Sequence, residues 1–156
     1  MMPLGYRRLV VSCRVINPGG PTCQLKSPKD AALFCRGLIS EGQEVFVAIV
    51  LDVRRQVIAY QEVFRGTADM CLADPRDIFR AALVIAPTIS GLILVHNHPS
   101  GDCSPSAEDI RFADRITDSG AIVNIPIIDV MIVAEKGHWS REQGGISRWP
   151  AKVSAA

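Results

Sequence analysis

The chain has 156 residues, of which 48% are hydrophobic and 21% are charged, a size and composition typical of one globular domain. Seventeen lysine and arginine residues against sixteen aspartate and glutamate residues leave a net charge of +1, too small for strong nonspecific binding to nucleic acid. The longest apolar run, residues 45–51, is far shorter than the roughly 20 residues that span a bilayer. Disordered, membrane-inserted, collagen-like and disulfide-scaffold classes are therefore excluded.

The two ends of the chain are expected to lie outside the folded domain. Residues 1–26 are interpreted as an N-terminal arm and loop: residues 8–16 form a short strand or a loosely attached arm, and residues 17–21 are a proline- and glycine-rich breaker cluster. Residues 148–156 are expected to fray. The first residues lack the apolar region and cleavage site of a signal peptide, which favours a cytoplasmic protein. We therefore expect reduced and mostly buried thiols at Cys13, Cys23, Cys35, Cys71 and Cys103.

The first half of the domain reads as a helix followed by a hairpin. Ser27 and Pro28 form a good helix start, and the apolar spacing predicts a helix that ends near Ser40. Residues 45–51 are too apolar for a one-sided strand and are expected to be central in a sheet. Residues 52–56 turn, and residues 57–64 return as the second strand of the hairpin.

The second half alternates helices with strands. Asp74 and Pro75 begin a helix that runs to about Ala86, and residues 90–95 form an apolar strand. Ser104 and Pro105 open a third helix, for which 119–120 is the predicted stop. Residues 121–128 and 130–134 are predicted as two further strands. The result is an α/β or α+β fold, a mixed sheet of five or six strands flanked by about three helices.

Two of the three histidines lie two residues apart, just past the strand at residues 90–95. Because residues i and i+2 of extended backbone point the same way, the imidazoles of His96 and His98 can converge. Asp109 follows in the early turns of the next helix. Two imidazoles and one carboxylate are three ligands for a divalent metal, most simply Zn²⁺, with the fourth position open as in catalytic sites. The alternative is a polar turn whose histidines only hydrogen-bond the loop.

The whole pattern, His96-x-His98, seven residues, then Ser106-x-x-Asp109, resembles the JAMM motif of JAB/MPN-type metallopeptidases. The stretch HNHPSGDCSPSAEDI is more similar still to the RadC family. The similarity continues in QEVF at residues 43–46, GT at 66–67, PRDIF at 75–79, DVMIV at 129–133 and WSREQG at 139–144. It implies a RadC-like JAB/MPN domain over residues 27–147 with a cytidine-deaminase-like fold.

The resemblance also implies an activity and a role for each site residue. The activity is that of a zinc hydrolase with one Zn²⁺ per chain, cleaving a peptide, isopeptide or other amide bond. His96, His98 and Asp109 match the zinc ligands. Ser106 matches the serine that stabilises an oxyanion, although it could simply cap the third helix. Glu44 matches the general base, with Glu41 and Glu62 as rivals that spacing does not exclude.

Four residues near the motif or near the C-terminus are given structural interpretations. Gly101 is expected to need positive φ, and Asp102 to form an Asx turn rather than to bind metal. Cys103 lies in the same loop and is a weaker candidate as a soft ligand. His138, in a glycine-rich turn, is interpreted as part of the surface.

The sequence departs from the family in two respects, and both leave other functions open. Val130 follows Asp129 where the family usually has histidine, and residues 1–26 hold no helix-hairpin-helix motif of the kind found in full-length relatives.

The alternative to a hydrolase is a non-catalytic or weakly catalytic module of DNA-repair or mobile-element machinery. A third class is a metal-dependent nuclease, but nuclease centres often use several carboxylates with Mg²⁺ or Mn²⁺, whereas a His₂Asp site favours zinc. We expect weak or no direct DNA binding by this domain and no membrane association. The peptide or isopeptide substrate and the oligomeric state stay unknown at this level.

Overall fold

The computed structural model describes residues 23–66, 73–85 and 89–149. Its elements, in chain order, are α1 (Pro28–Phe34), a 3₁₀ helix (Arg36–Ser40), β1 (Glu44–Leu51), β2 (Val57–Gly66), α2 (Pro75–Ile85), β3 (Gly91–Asn97), α3 (Ala107–Ile122), β4 (Ile127–Ala134), β5 (Gly137–Ser140) and β6 (Gly145–Arg148).

The strands form one mixed sheet in the order β2-β1-β3-β4-β5-β6. The pair β3–β4 is parallel and is connected through α3, whereas the other neighbouring pairs are antiparallel. Within the described ranges, the six strands and three α-helices agree with the α+β fold class and the JAB/MPN fold expected from the sequence.

The sheet is covered on both faces, and β1 shows this directly. All eight of its residues are buried, as expected for a central strand. Phe46, Ala48 and Val50 pack into a core with α2 and α3, whereas the alternate residues Val45, Val47 and Ile49 pack into a second core with α1. The period of two between successive side chains thus divides one apolar strand between two cores.

The predicted helix starts are confirmed at α1 and α2, but the first helix is shorter than predicted. Ser27 caps α1 in a capping box with Asp30, and Pro28 is its first residue. The α-helix ends at Phe34, and the chain continues as a 3₁₀ helix in which the Leu38 amide donates to the Cys35 carbonyl at 3.0 Å. The predicted end of the second helix, Ala86, lies outside the described residues.

The third helix and the strands after it differ from the prediction. The cap is Ser106 rather than Ser104, and α3 continues through Gly120 to Ile122. Gly120 does not stop the helix: a Cβ there would lie 2.6 Å from the Ile125 carbonyl oxygen, so this glycine permits close packing of the following turn. The strand predicted at residues 121–128 is therefore wrong for most of its length, because α3 and a turn occupy residues 121–126. The strand predicted at residues 130–134 is confirmed as part of β4, a single strand over residues 127–134.

Three polar residues of the C-terminal strands, Asp129, His138 and Ser140, are buried. The Asp129 carboxylate accepts hydrogen bonds from the Ser140 hydroxyl (2.6 Å) and the Glu142 amide (2.9 Å), so it fits inside a strand. His138 is 3% exposed and packs against Trp149 at a ring-centroid distance of 5.4 Å. Its interpretation as a surface residue is wrong, because β5 lies inside the sheet between β4 and β6.

Several predictions concern residues beyond the described ranges. They are the arm or strand at residues 8–16, the loop at residues 17–21, Thr67 of the motif comparison, Cys13, Cys71 and most of the tail. Within the described ranges, Cys35 and Cys103 are buried free thiols and Cys23 is partly exposed. Leu25, inside the predicted arm, is 1% exposed and belongs to the core. Over the described residues, each helix is too short or too polar to cross a membrane.

Candidate metal centre

The candidate site residues lie at one end of the β1–β3 pair. The antiparallel register pairs Phe46 with His96, so the start of β1 lies beside the end of β3. The start of α3 reaches the same place. Four side chains converge there: one ligand atom from each of Glu44, His96, His98 and Asp109 lies within 4.8 Å of the other three. We call these four residues the metal-ligand cluster.

His96 is at the centre of the cluster and lies inside β3, not after it as the sequence suggested. Its side chain is 3% exposed, and its ring stacks on Phe46 at 5.6 Å with an interplanar angle of 12°. The Nε2 atom is 3.1 Å from Asp109 Oδ1, 3.2 Å from His98 Nε2 and 3.6 Å from Glu44 Oε1. One imidazole nitrogen therefore faces all three other members.

His98 is oriented by the loop that follows β3. Its Nδ1 lies 2.9 Å from the Asp102 carbonyl oxygen, and because a carbonyl only accepts, Nδ1 is the donor and Nε2 is left to face the cluster. Burial alone would lower the pKa of His98, but hydrogen bonds to Asp109 and to the Asp102 carbonyl outweigh it and raise the pKa.

The loop itself has the predicted geometry. Gly101 has φ +83°, and its amide donates to the His98 carbonyl at 3.0 Å. The Asp102 carboxylate accepts from the amide (2.9 Å) and the hydroxyl (2.8 Å) of Ser104, as an Asx turn requires. Both residues shape the loop, and neither belongs to the metal-ligand cluster.

Asp109 links the helix start to the histidines. It occupies the third position of α3, where its Oδ2 accepts from the Ser106 amide and hydroxyl, each at 2.7 Å. Burial would raise the pKa of Asp109, but hydrogen bonds from His96 and His98 hold that pKa well below its usual range. The residue is therefore a carboxylate at neutral pH, as a metal ligand must be.

Ser106 caps α3. Its hydroxyl accepts from the Asp109 amide at 3.1 Å while donating to the Asp109 carboxylate. The capping role that the sequence left as an alternative is therefore present. Its role as an oxyanion donor is not tested by this geometry and stays a prediction.

The three candidate bases are separated clearly. Glu44 is 6% exposed and belongs to the cluster. Glu41 and Glu62 instead pair with Arg65, at 2.6 and 2.9 Å, on the protein surface. The hydrogen bond from Arg65 lowers the pKa of Glu62 below its usual value. Sequence spacing could not make this distinction, because it depends on which way β1 and β2 present their side chains.

Two further residues raised by the sequence lie away from the cluster. Cys103 is 2% exposed and packs in a small apolar group with Ile132, Ala134 and Trp139. Val130, where the family usually has histidine, is a core residue that is 1% exposed. Cys103 is thus part of the packing rather than a fifth ligand.

The donor set fits a zinc ion. Ligand atoms bound at 2.0–2.1 Å to one tetrahedral zinc lie roughly 3.3 Å apart. The two histidine Nε2 atoms are 3.2 Å apart, His96 Nε2 is 3.1 Å from Asp109 Oδ1, and His98 Nε2 is 3.5 Å from the other Asp109 oxygen, Oδ2. A cation would also offset two carboxylates, Glu44 and Asp109, that lie close together in a largely buried place. His98 and Asp109 already have the outer hydrogen bonds that orient metal ligands. The buried Nδ1 of His96 has no such bond to any described residue.

One residue at this site was missed by sequence reasoning. Asn97, between the two histidines, is fully buried and accepts a 2.7 Å hydrogen bond from the Val45 amide. The available signal was the alternation of β3: a residue between two that face the site points to the opposite face, where a polar side chain needs partners.

Comparison with known proteins agrees with this architecture. The model of the RadC-like JAB domain family matches residues 25–146. A UPF0758 protein of Thermotoga maritima is 39% identical over 112 residues, covering 71% of this chain and 50% of that protein. Similar proteins from Thioalkalivibrio sulfidiphilus (40% over 112 residues, 71% and 49% covered) and Rubrobacter xylanophilus (35% over 131 residues, 83% and 56% covered) also match. The chain spans about half the length of these curated relatives. It belongs to the RadC-like JAB domain family.

Proposed function

We propose that the protein is a zinc-dependent hydrolase of the JAMM type that cleaves a peptide, isopeptide or other amide bond. The observation that carries the proposal is the convergence of His96, His98 and Asp109 on one point, with the buried carboxylate of Glu44 beside them. Two imidazoles favour zinc over Mg²⁺ or Ca²⁺, which prefer all-oxygen sites.

In this proposal His96, His98 and Asp109 hold one zinc ion per chain. A bound zinc ion supplies Lewis-acid polarisation of a carbonyl and acidification of water. His98 is held for this by the Asp102 carbonyl and Asp109 by the Ser106 cap. Both ligands thus depend on backbone geometry at the loop and helix start.

Glu44 is proposed as the general base. Its carboxylate can accept the proton of the attacking water and return it to the nitrogen of the leaving amine. Its Oε1 is 3.6 Å from His96 Nε2, close to the ligands, and burial shields it from bulk water. This location is what the reaction requires of a base that acts at the ligand cluster.

Ser106 is proposed to donate a hydrogen bond to the developing oxyanion. In the present geometry its hydroxyl donates to Asp109 Oδ2. The proposal therefore requires that the hydroxyl rotate from Asp109 toward the substrate when the carbonyl oxygen gains charge.

A second candidate is a non-catalytic or weakly catalytic module of DNA-repair or mobile-element machinery. It is favoured by one observation: Glu44 itself lies within the cluster, so Glu44, His96, His98 and Asp109 together could close a four-ligand structural site. A closed site leaves no open position for substrate or water.

Metal analysis of the purified chain separates the two candidates. We expect about one equivalent of zinc, lost on His96→Ala or Asp109→Ala and retained in the control Cys103→Ala, whose thiol lies outside the cluster. Glu44→Gln keeps its zinc in an open catalytic site and weakens zinc binding in a closed one. Activity profiling on a peptide and isopeptide library then tests hydrolysis. Protein without zinc after expression in zinc-containing medium contradicts both candidates.

A further inference from the structure

Asn97 is a buried polar residue placed between two of the proposed metal ligands. It is the last residue of β3 and is 0% exposed. Its backbone is paired with Val133 in the parallel neighbour β4. Its position is therefore fixed from one side by the centre of the sheet.

The side chain of Asn97 bonds the backbone on both sides of Glu44. Oδ1 accepts from the Val45 amide at 2.7 Å, and Nδ2 donates to the Gln43 carbonyl at 3.0 Å and to the Glu41 carbonyl at 3.4 Å. Both ends of the carboxamide are thus used, and each bond ends on the chain segment that carries Glu44.

The hydrogen bonds of the Asn97 side chain connect β1 to β3 beyond the point where the backbone pairing of these two strands ends. The β1–β3 pairing runs from Leu51 with Gly91 to Phe46 with His96 and goes no further. Beyond that pair, the Asn97 carboxamide holds the start of β1 to β3. The β2 strand supports the other side, where Glu44 pairs with Gly66.

We propose that Asn97 is a positioning residue that fixes the peptide groups on both sides of Glu44 and thereby holds the Glu44 carboxylate against the proposed ligands His96, His98 and Asp109. The inference rests on the proposed function in so far as Glu44 is the general base. A catalytic group that moves by about 1 Å can lose about 10²-fold in rate, so three hydrogen bonds at the base-bearing strand have a direct consequence for turnover.

A purely structural role makes a different prediction. Asn97 would then only satisfy buried backbone groups, and its loss would lower stability without a specific effect on Glu44. Ser140→Ala is the matched control, because Ser140 is also a fully buried polar residue of the same sheet, bonded to Asp129 and to the Gln143 amide, and is not part of the cluster.

The experiment uses the full chain with zinc bound and the variants Asn97→Ala, Asn97→Ser and Ser140→Ala. The first readout is structural: crystal structures of the wild type and the Asn97 variants give the distance from Glu44 Oε1 to His96 Nε2, and hydrogen exchange gives the protection of the Val45 amide. We expect the Asn97 variants to keep zinc, to displace Glu44 by about 1 Å or more and to expose the Val45 amide. Asn97→Ser serves where Asn97→Ala does not fold.

The second readout is a double-mutant cycle with Glu44→Gln. We expect an Asn97 variant to lose about 10²-fold in kcat in the wild-type background and nothing further in the Glu44→Gln background, with Ser140→Ala unchanged in kcat. An equal loss in both backgrounds, or an unmoved Glu44 with a protected Val45 amide, overturns the inference. If no variant of Glu44 affects turnover, the proposed role of Glu44 as general base fails, while the position of Glu44 and the exchange of the Val45 amide still decide the inference about Asn97.

Discussion

Glu44 differs from Glu41 and Glu62 in what its carboxylate faces. Glu41 and Glu62 neutralise Arg65 on the surface, whereas Glu44 is buried beside His96. These three acidic residues of one hairpin region therefore have different environments. The environment of a carboxylate determines whether it can take part in the chemistry of the site.

Glu44→Gln is expected to keep the fold while losing about 10²–10⁴-fold in turnover, because an amide cannot accept and return a proton. Turnover of a peptide or isopeptide substrate and zinc content are measured together. Glu41→Gln and Glu62→Gln are the matched controls and are expected to keep full activity. The assignment to Glu44 is wrong if either control abolishes turnover while Glu44→Gln does not.

Ser106→Ala tests two roles at once. Loss of the cap is expected to cost about 1 kcal/mol of unfolding free energy, and loss of an oxyanion donor about 10²–10³-fold in kcat. Ser27→Ala, in the equivalent capping box of α1, is the control: it should lower stability by a similar amount and leave kcat unchanged. Thermal unfolding measures the change in stability, and steady-state kinetics measure kcat. If kcat of Ser106→Ala also stays unchanged, Ser106 only caps α3.

At the scale of elements, the site depends on how β1, β3 and α3 are held at one end of the sheet. The turn after α3 packs so closely that Gly120 meets the Ile125 carbonyl. This contact lies two residues before the start of β4, and β4 in turn pairs with β3. Packing at the far end of α3 therefore contributes to the position of the ligand-bearing strand.

Gly120→Ala is expected to lower the unfolding free energy by about 1–3 kcal/mol, because an added methyl group overlaps backbone that cannot easily move. Gly37→Ala is the control: its Cβ would have no heavy atom within 4 Å, so stability should stay the same or rise by about 0.4–1 kcal/mol. Denaturant unfolding measures both. Equal effects of the two variants would contradict the close approach at Gly120.

His138 in β5 is expected to make the unfolding free energy of the protein decrease at acidic pH. Burial lowers the pKa of His138 below its usual value of 6.5, and the charge of Lys29 acts in the same direction. Among the described residues, neither ring nitrogen of His138 has a hydrogen-bond partner. As the pH falls below 6.5, the unfolded chain takes up the proton first, so stability is lost from there down to the folded pKa.

The test compares the chain that keeps His138 with the variant His138→Phe, both in a His96→Ala/His98→Ala background, where His138 is the one remaining histidine of the sequence. Unfolding free energy is measured from about pH 7 to about pH 5. The chain that keeps His138 should lose stability more steeply on acidification than the His138→Phe variant, because the phenyl ring has no proton to take up. Parallel curves would show that His138 does not titrate against folding.

At the scale of the whole molecule, the chain is one mixed sheet with a metal-ligand cluster, and it spans about half the length of its curated relatives. Its net charge of +1 supplies few phosphate contacts. The cytoplasmic location, the substrate and any partner stay predictions.

DNA binding by this chain is expected to be weak, with a Kd no tighter than about 10⁻⁶ M at physiological salt and a further loss at higher salt. Fluorescence-anisotropy titration with several duplex sequences measures it. Nanomolar, sequence-selective binding at physiological salt would contradict the expectation and favour the DNA-linked module over the hydrolase.

The sequence by itself determined the features that depend on short-range order. Local spacing and propensity predict the helix starts at Ser27 and Asp74, the central strand β1 and the hairpin to β2. They also predict His96, His98 and Asp109 as candidate ligands. The family resemblance added Glu44 and Ser106 as candidates, and the structure brings Glu44 and Asp109 to the histidines.

Tertiary structure alone decided the features that depend on contacts distant in sequence. The continuation of α3 past Gly120 depends on the turn that packs against it, and the burial of Asp129 and His138 depends on strands β5 and β6. The different environments of Glu44 and of Glu41 and Glu62 depend on Arg65, 24 residues from Glu41. The burial of the Asn97 carboxamide with a hydrogen-bond partner depends on Val45, 52 residues away. Local patterns carry no information on such pairs, because backbone hydrogen bonds and burial are set only when the strands meet.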